Sequence, residues 1–381
     1  MSEPLPGAPD PWAPSEMPKF RSRPPYVMSE MIAAEPALGE RLVTRLSSDP
    51  ALEALATTVR ETAAAGRPIR TTGCGTSEHA AMGIAALLNE ALDPKPGRDV
   101  RAVQAAETVG RPLRDGLLIA VSHEGGTDAT NEAMRAAADA GARVALITVG
   151  GGSPGAALAE LVVQTEEQDQ SWCHTVGYLS PLLVGVVLAA RLAGARLDAG
   201  AIHALLDVAN EHRAAADVAA GLSRVDRLMV AGSGVDFITA RELALKVAEG
   251  ARLPADAHEL ETVLHGHLAA ATRWTGLLVV LASEPTPFVM DRARRVVAAA
   301  HTLRLPAAAI VAESLATELV AGDTPAGRIV LPQTGRVPGL AGSLLASAVA
   351  LQLLTERLAR ARNVDPDTLG REDAAQAAAH A

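Results

Sequence analysis

The sequence predicts an α/β protein built from two similar units, each with a parallel sheet covered by helices on both faces. Short apolar runs broken by glycine alternate with stretches of helical period, which is the pattern of βαβ units. The pattern then repeats. The glycine turn at 73–75 returns at 232–234 (232 − 73 = 159), and the apolar run from Leu117 returns from Leu277 (277 − 117 = 160). We therefore expect one unit in two copies.

The predicted elements begin after a Pro-rich segment. Met1 to about Pro25 holds eight of the 24 prolines and predicts an extended arm. A helical period starts at Tyr26, and a second helix is expected from Leu52 to Ala65. The first predicted sheet has four strands: Ile69–Gly73, Leu117–Ser122, Val144–Val149 and Leu161–Thr165. The helices expected between and after them lie near 78–90, 127–140 and 174–195.

The second set of elements has the same alternation. Its predicted strands are Arg227–Gly232, Leu277–Ser283, Ala307–Val311 and Ile329–Leu331. Its predicted helices lie near 236–249, 287–303 and 340–361. The resulting domain boundaries are an arm at 1–30, a first subdomain at 31–200, a second at 201–362, and a C-terminal loop and tail at 363–381.

Composition narrows the class of protein. Aromatic residues make up 2% of the 381 residues, so the core must be built from Ala, Val and Leu. The net charge of −10, without a basic stripe, argues against nucleic acid and anionic membranes as partners. The apolar stretches 175–190 and 339–354 are shorter than the roughly 18–20 residues that span a bilayer. We expect no signal peptide, and Cys74 and Cys173 lack disulfide or zinc spacing, so a cytoplasmic location is expected.

Two loops of the first unit carry the candidate chemistry. Gly-Cys-Gly-Thr-Ser at 73–77 and Ser-His-Glu-Gly-Gly-Thr at 122–127 each follow a strand and open a helix. Ligands of doubly wound sheets bind beyond the carboxyl ends of strands, where glycine lets the backbone approach and hydroxyls add donors. Ser77, Ser122 and Thr127 are the candidate hydroxyls. N-capping of the helices by these side chains is the alternative.

The joint order of five motifs resembles one family. These are the two loops, then GSG at 232–234, Ala-Arg-Glu-Leu-Ala-Leu-Lys-Val-Ala-Glu at 240–249 and Leu-His-Gly-His-Leu-Ala at 264–269. Over about residues 30–371 the chain resembles the tandem sugar isomerase (SIS) family. It is most similar to the isomerase half of glucosamine-6-phosphate synthase and to relatives that isomerise or deaminate sugars. No glutaminase domain is expected.

The resemblance implies a fold, an assembly and a site. It implies two flavodoxin-like SIS subdomains, a homodimer, and a sugar site at the first subdomain completed by the second and by the neighbouring subunit. No metal or organic cofactor is implied. The substrate-binding residues that it implies are Cys74, Gly75, Thr76, Ser77, Ser122, His123, Glu124, Gly125, Thr127, Trp172, His174, Lys246 and Arg371.

Two residues match the catalytic positions of the family. Glu249 matches the general base that moves a proton between C1 and C2 through a cis-enediol, and His265 matches the ring-opening histidine donated across the dimer. From spacing alone, Glu242, Lys246 and Glu249 at i, i+4 and i+7 also fit an exposed salt-bridged stripe. The cluster His258, Glu259, Glu261, His265 and His267 admits a metal site or a plain surface loop as alternatives.

The sequence departs from the family at the loop that normally reads Ser-x-Ser-Gly-x-Thr and holds phosphate. Glu124 stands at the second serine position. At about 4 Å, each carboxylate–phosphate charge pair would cost on the order of 4 kcal/mol at an effective dielectric near 20. Either Glu124 points away from the ligand, or the ligand is neutral or cationic, such as an amino sugar. The sequence favours an altered substrate.

Other departures lie at 171–178 and at the C-terminus. Trp172 and Tyr178 are candidates for stacking on a sugar, with a core position for Trp172 as the alternative. His174 replaces a sugar-contacting serine. Arg371 replaces a substrate-contacting lysine, so it forms no Schiff base, but it can pair with an acidic ligand group or with Glu124.

These residues leave three activities open. The first is aldose/ketose isomerisation or amino-sugar deamination. The second is a catalytically silent sugar-binding regulator, and the third is cleavage of a C–O bond by an etherase that shares the enolisation step.

Overall fold

A computed structural model describes residues 21, 23–93, 97–165, 167–319, 321–333 and 335–379, so most of the predicted arm lies outside the described residues. The described residues form two compact units. Unit 1 comprises Ala34–Asp169 and Val176–His203. Unit 2 comprises the described parts of Met17–Ala33, of Gln170–Thr175 and of Ala204–Ala381.

The first sheet lies in unit 1 and is entirely parallel. Its strands are β1 (Ile69–Gly73), β2 (Arg101–Gln104), β3 (Leu117–Val121), β4 (Arg143–Thr148) and β5 (Leu161–Gln164), in the order β2-β1-β3-β4-β5. The helices of this part of the chain are α1 (Val27–Leu46), α2 (Pro50–Ala64), α3 (Thr76–Leu92), α4 (Ala105–Gly110), α5 (Asp128–Asp139) and α6 (Val176–Leu192).

Unit 2 holds a second parallel sheet of the same topology. Its strands are β6 (Arg227–Gly232), β7 (Ala255–Glu259), β8 (Thr275–Leu281), β9 (Ala307–Ala312) and β10 (Arg328–Leu331), in the order β7-β6-β8-β9-β10. The helices from this point of the chain are α7 (Ala199–Ala209), α8 (His212–Leu222), α9 (Val235–Ala251), α10 (Leu260–Leu264), α11 (Pro287–Thr302), α12 (Gly339–Ala361) and α13 (Ala374–Ala379). The order 2-1-3-4-5 of both sheets is that of flavodoxin-like folds.

The predicted fold class is confirmed, and each predicted strand is present within two residues of its expected bounds. Two of the four edge strands, β2 and β7, were not predicted. Both have mostly half-exposed or exposed side chains and carry charged residues, whereas β3 and β8 are buried along their whole length. A strand that is buried on both faces forms a continuous apolar run in the sequence, whereas an exposed edge strand can carry charged residues and then gives no such run.

Strand pairing corrects one detail of the duplication. Ile69 pairs with Leu117 in the first sheet, and Leu228 pairs with Gly276 in the second. Leu117 therefore corresponds to Gly276 (276 − 117 = 159), not to Leu277. The offset is the same as at the glycine turns (232 − 73 = 159), so strands and turns keep one register in both units.

Local sequence explains the helix ends and the cores. Asp49 and Thr286 accept hydrogen bonds from the first-turn N–H groups of α2 and α11, each followed by proline, whose fixed φ suits a helix start. One hydrophobic cluster in each unit is made of Ala, Val, Leu and Met alone, without aromatic rings. The helix α12 is long and apolar enough to span a membrane, but 78% of its apolar window is buried within the protein.

Candidate functional site

The loop after β1 forms a tight turn that only glycine permits. A Cβ on Gly73 would lie 2.6 Å from the backbone carbonyl carbon of Ser77. Gly75 has φ +56°, in the left-handed region, and α3 begins at the next residue, Thr76. The turn thus places the N–H groups of the first turn of α3 at the carboxyl edge of the first sheet, with Ser77 half-buried beside them.

The loop after β3 lies at the same edge. Gly125 has φ +69°, and its carbonyl accepts a hydrogen bond from Gly155 N–H at 2.9 Å. A Cβ at 125 would lie 2.2 Å from Ser153 Oγ, so this position also requires glycine. Cys74 Sγ is 3.6 Å from Thr130 Oγ1 on α5, which joins the two loops. They meet between β1 and β3, where strand order reverses and doubly wound sheets bind ligands.

The hydroxyls of this edge do not act as helix caps. The residue that caps α3 is Gly75, which has no side chain, and Thr127 precedes α5 without a capping hydrogen bond and is exposed. Ser122 is 1% exposed, and its hydroxyl has no hydrogen-bond partner among the described residues. The N-capping alternative is therefore wrong, and these hydroxyls stay candidates for ligand binding.

His123 holds the protein together rather than facing the crevice with a free ring. Its Nε2 accepts a hydrogen bond from Asp169 N–H at 2.9 Å, and the Asp169 carboxylate accepts one from Gly177 N–H at 3.0 Å. His123 is buried. This ring nitrogen is thus engaged with the segment after β5, and the assignment of His123 as a substrate-binding residue stays a prediction.

Glu124 is exposed at the mouth of the loop. Its Oε1 accepts a hydrogen bond from Gln168 Nε2 at 3.0 Å. Sequence reasoning missed Gln168, because the residue lies 44 positions away along the chain and no motif marks it.

Unit 2 carries the predicted catalytic carboxylate on α9. Lys246 is 1% exposed, and its Nζ lies 2.7 Å from Glu249 Oε2 and 3.7 Å from Glu242 Oε1. Burial lowers the pKa of Lys246, but the two carboxylates outweigh it and raise that pKa above its ordinary value. Glu242 is fully buried and the Glu249 side chain is 25% exposed. The alternative of an exposed stripe is therefore wrong.

The segment 170–175 packs on this ion-paired cluster. Cys173 Sγ lies 3.9 Å from the Lys246 carbonyl, and Gln352 Nε2 on α12 donates to the Thr175 carbonyl at 3.0 Å. Burial, together with the Lys246 ammonium, lowers the pKa of His174 to about 3, although part of its surface stays accessible. His174 is therefore neutral at physiological pH, with hydrogen-bonding capacity but no charge.

Trp172 and Arg371 contact each other. The Arg371 guanidinium carbon lies 4.1 Å from the centroid of the indole ring. The backbone N–H of Trp172 donates to the Asp367 carbonyl at 3.1 Å. One face of the ring is thus covered by a cation, in a cation–π contact. Tyr178 is 1% exposed inside unit 1, so this ring is core and not a sugar-stacking surface.

His265 follows α10 and is exposed to 71% of its side-chain surface. Its Nε2 lies 2.8 Å from Glu261 Oε1, and Glu261 Oε2 lies 3.0 Å from Arg292 Nε. The rings of His258 and His267 are 3.9 Å apart, centroid to centroid. Within the described part of the chain, no group of three or more His, Cys, Asp or Glu side chains is placed to hold a metal ion.

Comparison with known proteins agrees with this architecture. Residues 65–191 match the model of the SIS domain family. The whole chain has the SIS fold with two tandem subdomains, since it superposes on the C-terminal domain of glucosamine-fructose-6-phosphate aminotransferase from Francisella tularensis. That match has a TM-score of 0.74 and 17% identity over 92% of this chain and 99% of the other. The resemblance inferred from the five motifs is confirmed.

Two further relatives have named activities. A glutamine–fructose-6-phosphate aminotransferase (isomerizing) of Symbiobacterium thermophilum is 29% identical over 368 residues, which cover 90% of this chain and 57% of the relative. The chain thus spans little more than half the length of that relative. A tagatose-6-phosphate ketose/aldose isomerase from Escherichia coli matches with a TM-score of 0.71 and 20% identity, over 91% of this chain and 95% of the other. The SIS fold of this chain is therefore like that of phosphosugar isomerases.

Proposed function

We propose that the chain is a sugar isomerase or amino-sugar deaminase that transfers a proton between C1 and C2, with Glu249 as the acid/base group. The observation that carries the proposal is the cluster on α9. A partly exposed carboxylate is held 2.7 Å from a buried ammonium, which is itself neutralised by a fully buried second carboxylate. The SIS fold, shared with proteins of these activities, supports it.

The three charges of the cluster have different roles. Breaking a buried ion pair leaves an uncompensated charge and is strongly destabilising, so Glu242 is the structural partner of Lys246. Glu249 is the member that keeps solvent access, which a base needs to reach a ligand. Because Lys246 Nζ holds Oε2, Oε1 is left for the substrate, and the ammonium keeps the carboxylate in a fixed orientation.

The proposed reaction follows from this geometry. Glu249 removes the proton from C2 of an open-chain aldose, the electron pair forms the C1–C2 double bond, and O1 takes up a proton to give the enediol. Return of a proton to C1, with loss of the O2 proton, completes the ketose. If C2 carries nitrogen, the same proton transfer yields an imine whose hydrolysis releases ammonia.

The remaining predicted residues take supporting roles in this proposal. The hydroxyls of Ser77, Ser122 and Thr127 in unit 1 bind the sugar, and His265 opens the ring. An imidazole suits ring opening because one nitrogen delivers a proton while the other accepts. The 71% exposure of His265 leaves it accessible to a neighbouring subunit of the proposed homodimer. We place the protein in the cytoplasm, acting without metal or organic cofactor.

Exchange of the C1 and C2 protons with solvent deuterium tests the proposal directly. Glu249→Gln keeps the shape of the side chain and removes the base, so NMR should show exchange slowed by about 10²–10⁴-fold with sugar binding retained. Glu318→Gln is the matched control, because Glu318 is an exposed carboxylate on unit 2 that pairs with Arg294. Exchange by Glu249→Gln at the wild-type rate contradicts the proposal. Binding without exchange in the wild-type protein would instead identify a sugar-binding regulator.

A further inference from the structure

The loop after β3 is lined by hydrogen-bond acceptors that the protein leaves unused. Ser122 is 1% exposed and Gln168 is 5% exposed, and neither Ser122 Oγ nor Gln168 Oε1 has a partner among the described residues. Buried polar groups are nearly always paired, and an unpaired one costs roughly 1–3 kcal/mol. Ser122 follows β3 and Gln168 follows β5, at the carboxyl ends of strands of the first sheet, so a bound molecule that donates hydrogen bonds there would satisfy both groups.

Gln168 also fixes the carboxylate at the mouth of this crevice. Its Nε2 donates to Glu124 Oε1 at 3.0 Å, so the amide and the carboxylate are held side by side. A carboxylate and an amide oxygen are acceptors only, and a hydroxyl can serve as either donor or acceptor. Ser122, Glu124 and Gln168 therefore all have acceptor capacity beyond the carboxyl ends of β3 and β5.

The charges of unit 1 do not offset Glu124. Glu124 forms no ion pair with a Lys or Arg among the described residues, and Arg135 of the following helix pairs with Glu132 at 3.0 Å. Arg41 pairs with Glu167, in the segment after β5, at 2.6 Å. The N-terminus of α5 supplies only about half a positive charge. A phosphate at this loop would thus face a full negative charge.

We infer that the group bound at the loop 122–127 is a hydrogen-bond donor of an unphosphorylated sugar, a hydroxyl or an ammonium, and not a phosphate. This inference rests on the proposed function, since it names the substrate class of the same site. Ser122 and Gln168 accept from the sugar, and Glu124 accepts a hydroxyl proton or pairs with an amino group. Gln168 is then a specificity-determining residue, because its hydrogen bond fixes the position of the Glu124 carboxylate at the loop.

Calorimetric titration of the full chain with matched sugars tests the inference. The probes are glucose, glucosamine and the 6-phosphate of each. The wild-type protein should bind each unphosphorylated sugar at least about tenfold more tightly than its phosphate. Glu124→Ser removes the negative charge and should raise the affinity for the phosphates by roughly a hundredfold. Glu160→Ser is the matched control, because it makes the same charge change at an exposed pair with Arg143 beside the opposite ends of the strands.

The result that overturns the inference is tighter binding of the phosphates by the wild-type protein, with a phosphate preference that Glu124→Ser leaves unchanged. Gln168→Leu gives a second test, since it removes the hydrogen bond that holds Glu124. It should reduce the preference for unphosphorylated over phosphorylated sugars. It should lower the thermal stability no more than the control Glu160→Ser does. Titration reports binding alone, whereas deuterium exchange reports turnover. A protein that prefers unphosphorylated sugars but exchanges no proton therefore upholds the inference and contradicts the proposed function.

Discussion

The two units place the same glycine turn at the same edge of the same sheet, but they differ in what lies beside it. Gly75 has φ +56° and ψ −127°, and its counterpart Gly234 has φ +61° and ψ −124°. Strand register makes Ser77 the counterpart of Asp236 (236 − 77 = 159), and Glu124 the counterpart of Ser283 (283 − 124 = 159). Unit 1 therefore has a serine after its first strand and a carboxylate after β3, whereas unit 2 has a carboxylate and a serine at these two positions.

The exchange closes one crevice and leaves the other open. In unit 2, Asp236 is 3% exposed, and its Oδ1 accepts a hydrogen bond from Ser283 N–H at 3.0 Å. In unit 1, Ser77 stands at the position of this carboxylate, and Glu124 accepts a hydrogen bond from Gln168. Duplication thus supplied two crevices of one design, and a single carboxylate that turns inward is enough to fill one. Of these two crevices, only the one in unit 1 is expected to bind a ligand.

The difference between the two units is tested most directly by giving unit 1 the aspartate that unit 2 has after its glycine turn. Ser77→Asp would place a carboxylate where Asp236 stands, within reach of the N–H group of residue 124. We expect sugar binding to weaken by about a hundredfold or more, because the introduced side chain takes the donors and the space of the ligand. Isothermal titration with the sugar that binds best measures this.

The reciprocal change is its control. Asp236→Ser empties the crevice of unit 2 and should leave sugar affinity in unit 1 unchanged. If Ser77→Asp bound sugar as the wild-type protein does, the loop after β1 would not be part of the site.

The closed crevice of unit 2 predicts a pH dependence of stability. Burial raises the pKa of Asp236 from its ordinary 3.8 to about 7, although the hydrogen bonds from Ser283 and Ala282 act to lower it. The folded protein therefore binds this proton more tightly than the unfolded chain, and stability is lost as the pH rises from about 4 to 7. Asp236→Asn should be more stable than the wild type at pH 8, by at most about 4 kcal/mol, with the difference vanishing near pH 4.

Urea unfolding at a series of pH values measures this difference. Asp217→Asn on α8 is the matched control, since Asp217 is exposed, and its effect should not vary with pH. A constant difference between Asp236→Asn and the wild type from pH 4 to pH 8 would show that Asp236 stays ionised in the folded protein.

The sequence predicts the fold well because central strands and glycine turns leave local signals. β3 and β8 are buried, mostly apolar runs, and β1 and β6 each end at a glycine turn, so the strands or their carboxyl ends are visible in the chain. The edge strands β2 and β7 have no such signal, since exposure allows charged residues there.

The chemistry of the loops is less visible because it depends on where side chains turn. The sequence marks Glu124 as unusual, but not that Gln168 holds it, since that contact joins two loops. The inward turn of Asp236 is not visible in the sequence for the same reason. The offset of 159 shows only that Asp236 stands at the position that Ser77 has in unit 1. The sequence allows Arg371 to pair with an acidic ligand group or with Glu124, but it does not show the contact of Arg371 with Trp172.

The smallest expected effect tests what the units share. A Cβ on Gly73 would lie 2.6 Å from backbone atoms of Ser77, and one on Gly232 would lie 2.6 Å from the Asp236 carbonyl. Gly73→Ala and Gly232→Ala should therefore destabilise the protein alike, by about 1–3 kcal/mol each in urea unfolding. Gly110→Ala, where a Cβ would meet nothing within 4 Å, is the control. Sugar affinity separates the pair: it should fall in Gly73→Ala, whose turn holds a ligand, and persist in Gly232→Ala, whose turn holds only Asp236. Equal affinity in both variants would mean that the glycine turn of unit 1 is structural alone, as in unit 2.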